Sequence, residues 1–340
     1  MNDHSSFSRV FEDVQTTYGP PEARRIEGES DDQWFDRQYD SWRYRLVAEL
    51  LSGNCAPDGH VVDIGAWPGL FTVCLRRLGW NVTAVDKSIS RSVTWKPSAL
   101  ESREWLQMTR SAELSLETMC RAEGFGVANA DIEYEPLPFD SGSIDAVVLT
   151  EVIEHVWKRP LFVLSEINRV LRPVSGVLIL STPNLLSIRN RIEFLRGRID
   201  QVIEHPFVSF LKSERIGHLG HLRLYAPGEL IETLELLGYS CVVRYESIQS
   251  VPTIPSTPAG SSARAFGDTV SRHLKRLFKS RADYAAAIRA TIIEFGERRV
   301  PHLRGRMFIV AKKLRDANFE TNCPDQVRRL ISHNTLTPAA

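Results

Sequence analysis

The chain has 340 residues, of which 43% are hydrophobic and 25% are charged, so it is long and apolar enough to bury a core. Basic and acidic residues number 42 each, and a net charge of zero argues against a protein that coats nucleic acid non-specifically. The five cysteines show no C-x-x-C spacing, which disfavours a disulfide framework or a zinc ribbon.

The beginning of the sequence, Met-Asn-Asp-His-Ser-Ser, is polar and lacks the basic and apolar regions of a signal peptide. No apolar run approaches the ~20 residues that a membrane-spanning helix requires. Together with the unpaired cysteines, these features predict a cytoplasmic protein without a membrane span.

Apolar runs that alternate with helical patterns predict a parallel sheet covered by helices on both faces. Such a sheet binds ligands at the carboxyl ends of its strands. We predict strands at residues 60–64, 81–85, 144–150, 177–181, 239–244 and 306–311, and helices at 70–78, 160–171 and 227–237.

The strand at 60–64 runs into a glycine-containing turn, Gly65-Ala-Trp-Pro-Gly69, which a helix follows. Glycine lets backbone amides approach a ligand closely, because no side chain stands in the way. Asp86 ends the next strand, where a carboxylate can accept hydrogen bonds from both hydroxyls of a ribose. The turn and the acid together favour a nucleotide-like ligand over a purely structural strand–turn–helix.

These motifs, in this order, resemble those of the class I S-adenosylmethionine-dependent methyltransferases. Asp63-Ile-Gly65-Ala-Trp-Pro-Gly69 is similar to the first motif of that family, and Val82-Thr-Ala-Val-Asp86 to the second. Ala130-Asp131-Ile132 with Leu137-Pro138-Phe139, and then Ser181-Thr-Pro-Asn184, continue the similarity.

The resemblance implies a Rossmann-like, seven-stranded, mostly parallel sheet with an antiparallel last strand. It implies that Asp86 holds the ribose, that Asp131 contacts the adenine amine and that Ile132 lies beside the ring. The implied cofactor-binding residues are Asp63, Gly65, Ala66, Trp67, Gly69, Asp86, Lys87, Asp131, Ile132 and Thr150.

Two features depart from the family pattern. Trp67 stands where the family has the middle glycine of the first motif, and its indole either packs on the cofactor, points away from it or impairs binding. Asp86 and Asp131 are also 45 residues apart, which is longer than the usual spacing. The extra piece, residues 89–119, is either a lid or a surface elaboration.

Two histidine-containing segments follow the fourth and fifth strands, where an acceptor would meet the methyl group. The first is Glu151-x-x-Glu154-His155, and the second contains His218 and His221. They are similar to segments of the metal-dependent small-RNA 2′-O-methyltransferases, and the first also to a segment of the ubiquinone-biosynthesis O-methyltransferases. This resemblance implies that Glu151, Glu154, His155 and His221 bind Mg²⁺ or Mn²⁺.

Two other readings of these segments stay open. His155, His221 or His218 can act directly as a catalytic base, or the segment can have a structural role only.

The predicted organisation has five parts. Residues 1–45 form an acidic and aromatic arm, and residues 46–250 form the methyltransferase core. Residues 251–305 form a basic helical insertion, residues 306–315 the last core strand, and residues 316–340 a tail. The arm holds Trp34, Phe35, Tyr39, Trp42 and Tyr44, whose rings either roof the cofactor, flank a sugar or serve ordinary packing.

We therefore predict a methyltransferase (EC 2.1.1) that modifies a hydroxyl of a small molecule, sugar or glycan. Three alternatives remain open: a ribose 2′-O-methyltransferase on RNA ends, an N-methyltransferase on an amino sugar, and a non-catalytic cofactor-binding protein. The predicted partner is a small-molecule or glycan acceptor, with nucleic acid less favoured, and a homodimer stays open.

Overall fold

The structure is a computed structural model, and it describes residues 4–19, 41–87, 115–197, 221, 223–246, 300 and 304–317. Several predicted features lie outside these residues. They are His218, most of the predicted lid, nearly all of the basic insertion, and the tail beyond residue 317.

Seven strands and seven α-helices are defined within the described residues. The strands are β1 (His60–Ile64), β2 (Asn81–Asp86), β3 (Gly126–Asn129), β4 (Ala146–Thr150), β5 (Val177–Pro183), β6 (Tyr239–Glu246) and β7 (Arg306–Lys313). The helices are α1 (His4–Tyr18), α2 (Ser41–Ser52), α3 (Leu70–Arg77), α4 (Leu116–Glu123), α5 (Pro160–Val170), α6 (Ile188–Leu195) and α7 (Pro227–Leu236). A 3₁₀ turn spans Ile153–His155.

The strands form one sheet in the order β3-β2-β1-β4-β5-β7-β6. The pairs β3–β2, β2–β1, β1–β4 and β4–β5 are parallel, and the last strands are antiparallel. This topology confirms the predicted Rossmann-like fold. The carboxyl ends of β1 to β5 meet at one edge of the sheet, which we call the carboxyl edge, and the opposite side is the amino edge.

The central strands are apolar because helices cover both faces of the sheet. All residues of β4 from Ala146 to Leu149 are buried, as are Val61, Val62 and Ile64 of β1. Helix α3 begins after Gly69, whose φ of 99° lies in the left-handed region. Helix α5 has Pro160 in its first turn, where the missing N–H has no intrahelical partner to lose.

An ionic cluster joins α1, α3 and α4. The Arg77 guanidinium pairs with Asp13 and lies 2.5 Å from Glu123 Oε1. The Tyr18 hydroxyl donates to the same Glu123 oxygen at 2.6 Å. Burial and Glu123 together raise the pKa of Tyr18 to about 12, so its proton stays in place to donate.

A second polar cluster lies at the amino edge, around the end of α5. Lys313 is buried, and its Nζ donates to Asn168 O at 2.7 Å and Leu171 O at 3.0 Å. The Asn168 side chain donates to Leu237 O at 3.0 Å and to Arg315 O at 3.2 Å. Helix α5 is thereby tied to the turn before β6 and to the chain after β7.

The chain divides into two compact units. The first comprises Met1–Ser181, Gly228–Val242 and Ile309–Ala340, and the second comprises Thr182–Pro227 and Val243–Phe308. Helix α2 continues across residue 45, where the sequence predicted the end of the arm. The predicted five-part organisation otherwise remains a prediction.

Spanning a bilayer requires a long and apolar helix, and none of the helices in the described ranges qualifies.

Candidate active site

The turn after β1 brings the backbone close to its neighbours at the two glycines of the first motif. Gly65 has a φ of 72°, and a Cβ there would clash with Val152 Cγ2. A Cβ on Gly69 would lie 2.9 Å from both Leu116 Cδ2 and Met119 Sδ. Both positions therefore require glycine, for backbone conformation and for space.

The remaining residues of the turn face the end of β2. The backbone N–H of Trp67 donates to Asp86 Oδ2 at 3.2 Å, which fixes the acid beside the turn. Trp67 is half-buried, and the bond between Trp67 and Pro68 is cis. Ala66 is buried, whereas Lys87 is exposed. An acid held next to a glycine turn is the arrangement that a ribose diol requires.

Asp63 is buried inside the motif and accepts a hydrogen bond from Thr72 Oγ1 at 2.6 Å. Burial raises the pKa of Asp63 to about 7, and the bond from Thr72 opposes this shift. The carboxyl group therefore ties β1 to the first turn of α3. Its predicted contact with a cofactor remains a prediction.

The predicted adenine side follows β3. Asp131 and Ile132 are half-buried, and the Asp131 carboxylate accepts from Glu133 N at 3.2 Å. The Asp131 carbonyl accepts from the N–H groups of Tyr134 and Glu135, at 2.9 and 2.8 Å, which closes a tight turn. Thr150, the remaining predicted cofactor residue, ends β4. All ten predicted cofactor residues thus lie along the carboxyl edge.

The chain leaves β4 through Glu151, a non-glycine residue with a φ of 54°. This left-handed conformation is uncommon for a residue with a side chain and is found preferentially at functional sites. Ser181 holds the residue from the end of β5. Its carbonyl accepts from Glu151 N at 2.9 Å, and its hydroxyl donates to Glu151 Oε1 at 2.9 Å.

The other oxygen of Glu151 faces Arg43, a residue that sequence reasoning did not select. Arg43 Nη1 lies 3.6 Å from Glu151 Oε2, and both side chains are largely buried. The Arg43 charge also acts to lower the pKa of Asp63. Leu46 and Leu51 are likewise buried on α2. Arg43 stands one helical turn before Leu46, so helical periodicity alone would have indicated an arginine on the inner face.

The 3₁₀ turn carries the other two predicted acceptor-side residues of the first unit. Glu154 is fully buried and His155 is half-buried, and His155 N donates to Val152 O at 2.9 Å. We call residues 151–155 the acceptor turn. His221 belongs to the second unit and is half-buried.

One of the arm's aromatic residues has an ordinary packing role. The Tyr44 ring stacks on Phe71 of α3 with 4.6 Å between centroids, and it meets the edge of Phe11 of α1 at 6.3 Å. Trp34, Phe35 and Tyr39 lie outside the described residues.

Residues 35–243 match the family described as "Methyltransferase domain". That match covers more than half of the chain, so the chain belongs to this family, and its sheet is that of the class I S-adenosylmethionine-dependent methyltransferases.

Curated relatives are similar over parts of the chain. A probable S-adenosylmethionine-dependent methyltransferase of Mycolicibacterium smegmatis is 40% identical over 103 residues, 30% of this chain and 31% of that protein. The mitochondrial ubiquinone biosynthesis O-methyltransferase of Schizosaccharomyces pombe is 29% identical over 185 residues, 52% of this chain and 59% of that protein. The chain thus spans less than two thirds of either relative.

Among solved structures, an S-adenosylmethionine-dependent methyltransferase from Archaeoglobus fulgidus aligns with a TM-score of 0.47 at 16% identity. The alignment covers 82% of this chain and 96% of that chain.

The residues at the carboxyl edge fit the cofactor that the family implies. The turn at Gly65 lies against Val152 at the start of the acceptor side, and Asp86 is oriented by the turn itself. Lys87 adds a positive charge beyond the acid.

Proposed function

We propose that the protein transfers a methyl group from S-adenosylmethionine to a hydroxyl of a small molecule, sugar or glycan. Family membership and the glycine turn with Asp86 support the cofactor. The similarity to an O-methyltransferase of Schizosaccharomyces pombe supports oxygen as the acceptor atom.

The observation that carries the proposal is the contact between the glycine turn after β1 and the acceptor turn. A Cβ on Gly65 would overlap Val152, so the backbone of the first motif lies against the residue between Glu151 and Ile153. Whatever binds over Gly65 is therefore next to a turn that carries Glu154 and His155.

A bound sulfonium methyl group is itself electrophilic, so the protein has to orient the acceptor hydroxyl and accept its proton. His155 is half-buried, which leaves its imidazole within reach of a ligand at the carboxyl edge. We assign it the role of base, with His221 and His218 as further candidates. Glu154, fully buried beside it, supplies a carboxyl group at the base of the site.

We further propose that a divalent ion, Mg²⁺ or Mn²⁺, assists by binding the hydroxyl and lowering its pKa. Glu151, Glu154, His155 and His221 would hold it, because carboxylate oxygens and imidazoles are ligands that these ions accept. His155 would then be a ligand of the ion, and its role as base applies to the alternative in which no ion takes part. Glu151 already accepts from Ser181 and faces Arg43, so as a ligand it would share its charge with the guanidinium.

The test is a panel of sugars, glycans and phenols with labelled S-adenosylmethionine, run with and without a chelator. We expect transfer to a hydroxyl, and a loss of about 100-fold or more in Glu154→Gln with unchanged affinity for S-adenosylhomocysteine. The matched control is Glu235→Gln, since Glu235 is exposed on α7.

Each outcome decides part of the proposal. Transfer that persists in the chelator removes the metal ion and leaves His155 as the base. Methylation of RNA ends or of an amino-sugar nitrogen, with no hydroxyl acceptor in the panel, would replace the proposed substrate class. The cytoplasmic location and the homodimeric state stay predictions.

A further inference from the structure

The turn that follows β3 lies beside the acid that a ribose requires. Strands β2 and β3 are parallel with Asp86 opposite Asn129, and the N–H of Ala130 donates to the Asp86 carbonyl at 3.3 Å. A base is bonded directly to its ribose, so a nucleoside whose hydroxyls bind Asp86 places its base next to this acid. Asp131 is half-buried there. We call residues 131–135 the base turn.

Hydrogen bonds within the base turn fix the Asp131 carboxylate. The N–H of Glu133 donates to Asp131 Oδ1 at 3.2 Å, and the N–H of Asp131 donates to Glu135 Oε2 at 2.9 Å. The direction in which the Asp131 carboxylate points therefore depends on where the backbone of Glu133 lies.

The Glu133 side chain connects the base turn to a distant part of the chain. Its Oε1 accepts from Lys158 N at 2.6 Å and from Arg159 N at 3.4 Å. These two residues stand directly before α5, in the segment that continues from the acceptor turn. Because both amides use the same oxygen, one acceptor atom at this distance from the backbone is enough to make the connection.

The contact is favourable for two reasons. Arg159 stands at the N-cap of α5 and makes no capping hydrogen bond with its side chain, so the acceptor at this end of the helix comes from Glu133 instead. The acceptor is also ionised, and a carboxylate is stabilised near the N-terminus of a helix. Glu133 therefore holds the base turn against the start of α5.

We propose that Glu133 is the positioning residue that makes the cofactor site selective for adenine. By holding the base turn on the segment before α5, it orients the Asp131 carboxylate towards the exocyclic amine of the base. A carboxylate accepts from that amine but repels the oxygen that hypoxanthine carries at the same position. This inference rests on the cofactor of the proposed function and on the predicted contact of Asp131 with the amine.

The experiment is a calorimetric titration of the full chain with S-adenosylhomocysteine and with S-inosylhomocysteine, in which an oxygen replaces the amine. The wild type should prefer the adenosyl compound by about 10-fold or more, because the analogue leaves the carboxylate without its donor. Asp131→Asn should reduce this preference, since an amide can also donate to the oxygen.

Three variants of Glu133 separate the reach of the side chain from its charge. Glu133→Gln keeps an acceptor oxygen at the same distance, whereas Glu133→Asp keeps the charge but is one methylene shorter, and Glu133→Ala loses both. We expect Glu133→Gln to retain the preference within about 3-fold, and the other two variants to lose most of it, because the hydrogen bonds require an acceptor within reach.

The control for these variants is Asp140→Ala, which removes an exposed acid from the same connection between β3 and β4. It should bind both compounds as the wild type does. Thermal unfolding of each variant accompanies the titrations. If Glu133 only stabilises the fold, Glu133→Asp and Glu133→Ala should unfold at lower temperature while the preference between the two compounds stays the same.

The proposal is overturned if Glu133→Ala keeps the preference of the wild type, or if it weakens binding of both compounds equally. It is also overturned if the wild type binds both compounds with the same affinity. These outcomes leave the proposed function intact, because the wild type still binds S-adenosylhomocysteine. If the wild type binds neither compound, the cofactor of the proposed function is wrong, and the role of Glu133 is rejected with it.

Discussion

The two edges of the sheet in the first unit handle polar groups differently. At the amino edge, the Asp145 carboxylate accepts from His60 N at 2.9 Å and pairs with Arg172 at 2.8 Å. Lys313 is buried there with two carbonyl acceptors and a carboxylate, Asp316 Oδ1, at 2.8 Å. These charges have partners that belong to the fold itself, and their role is to hold it together.

At the carboxyl edge the backbone departs from regular structure. Gly65 and Glu151 both have positive φ values, and they directly follow the central strands β1 and β4. Buried charge is concentrated here as well, in Asp63, Glu154 and the pair of Arg43 with Glu151. Local departures of this kind cost stability and persist mainly where function requires them. We therefore infer that the amino edge stabilises the fold and that the carboxyl edge binds ligands.

The largest expected effect on stability is at the amino edge. Lys313→Met leaves the carbonyls of Asn168 and Leu171 without their donor, which should lower the free energy of unfolding by about 3 kcal/mol. Lys312→Met is the control, because the neighbouring side chain is exposed. Urea unfolding measures both, and calorimetry should find unchanged affinity for S-adenosylhomocysteine in folded Lys313→Met. A large loss of affinity would contradict the division of roles.

The carboxyl edge should respond in the opposite way. Gly65→Ala adds a Cβ that overlaps Val152 at a φ of 72°, so we expect at least about a 10-fold loss of affinity for S-adenosylhomocysteine and a stability cost of about 2 kcal/mol. Gly124→Ala separates the two causes. Gly124 has a φ of 71° with nothing within 4 Å of the added Cβ, so it should cost about 1 kcal/mol and leave affinity unchanged. Equal affinities in the two variants would count against the site.

The raised pKa of Asp63 predicts how the stability of the protein depends on pH. Burial raises its pKa to about 7 in the folded state, whereas the unfolded chain has the ordinary value near 3.8. Between these values the folded state binds the extra proton, so its contribution to stability is full at low pH and declines as pH rises toward 7. The slope approaches about 1.4 kcal/mol per pH unit.

Asp63→Asn removes this titration and keeps an acceptor for Thr72. Urea unfolding should measure the free energy of unfolding of the wild type and the variant from pH 4.5 to pH 8, limits that lie within roughly one unit of the two pKa values. The free energy of the wild type relative to that of the variant should decline as pH rises. A difference that stays constant with pH would show that the Asp63 carboxyl does not titrate in this range.

The smallest expected effect concerns Val174 and Glu151, the two non-glycine residues with positive φ within the described ranges. Val174 has a φ of 68° and is exposed near the amino edge, so Val174→Asn should stabilise the protein by about 1 kcal/mol. Glu151→Asn relieves similar strain but leaves the buried Arg43 without its carboxylate, so it should not stabilise. Thermal unfolding of both variants is the measurement, and stabilisation by Glu151→Asn would mean that the carboxylate does not hold the arginine.

The sequence predicted the central strands well, because strands buried on both faces have continuous apolar side chains. It missed β3, where Gly126-Val-Ala-Asn129 is short and partly exposed at the edge of the sheet, so neither length nor hydrophobicity marks it. It also missed α1, α2, α4 and α6, although Ser115 caps α4 through a bond from Thr118 N at 3.2 Å. The capping pair there is serine with threonine rather than with an acid, which weakens the signal.

The parts of the candidate site that belong to sequence motifs were predictable. The glycine turn and Asp86 are contiguous or regularly spaced features, and the structure places them together. The contacts of Arg43 and Ser181 with Glu151 were not predicted, because these residues reach it from α2 and from β5 across long sequence separations. The left-handed backbone of Glu151 was also invisible, since a glutamate gives no indication of positive φ.

The central claim is that the carboxyl edge binds the cofactor through the first motif and Asp86. The most direct test is a calorimetric titration with S-adenosylhomocysteine of the wild type, Asp86→Ala and the exposed control Asp58→Ala. We predict saturable binding by the wild type and Asp58→Ala, and a loss of at least about 10-fold in Asp86→Ala, as expected when hydrogen bonds to a carboxylate are removed. Equal affinity in all three proteins, or no binding by the wild type, would contradict the claim.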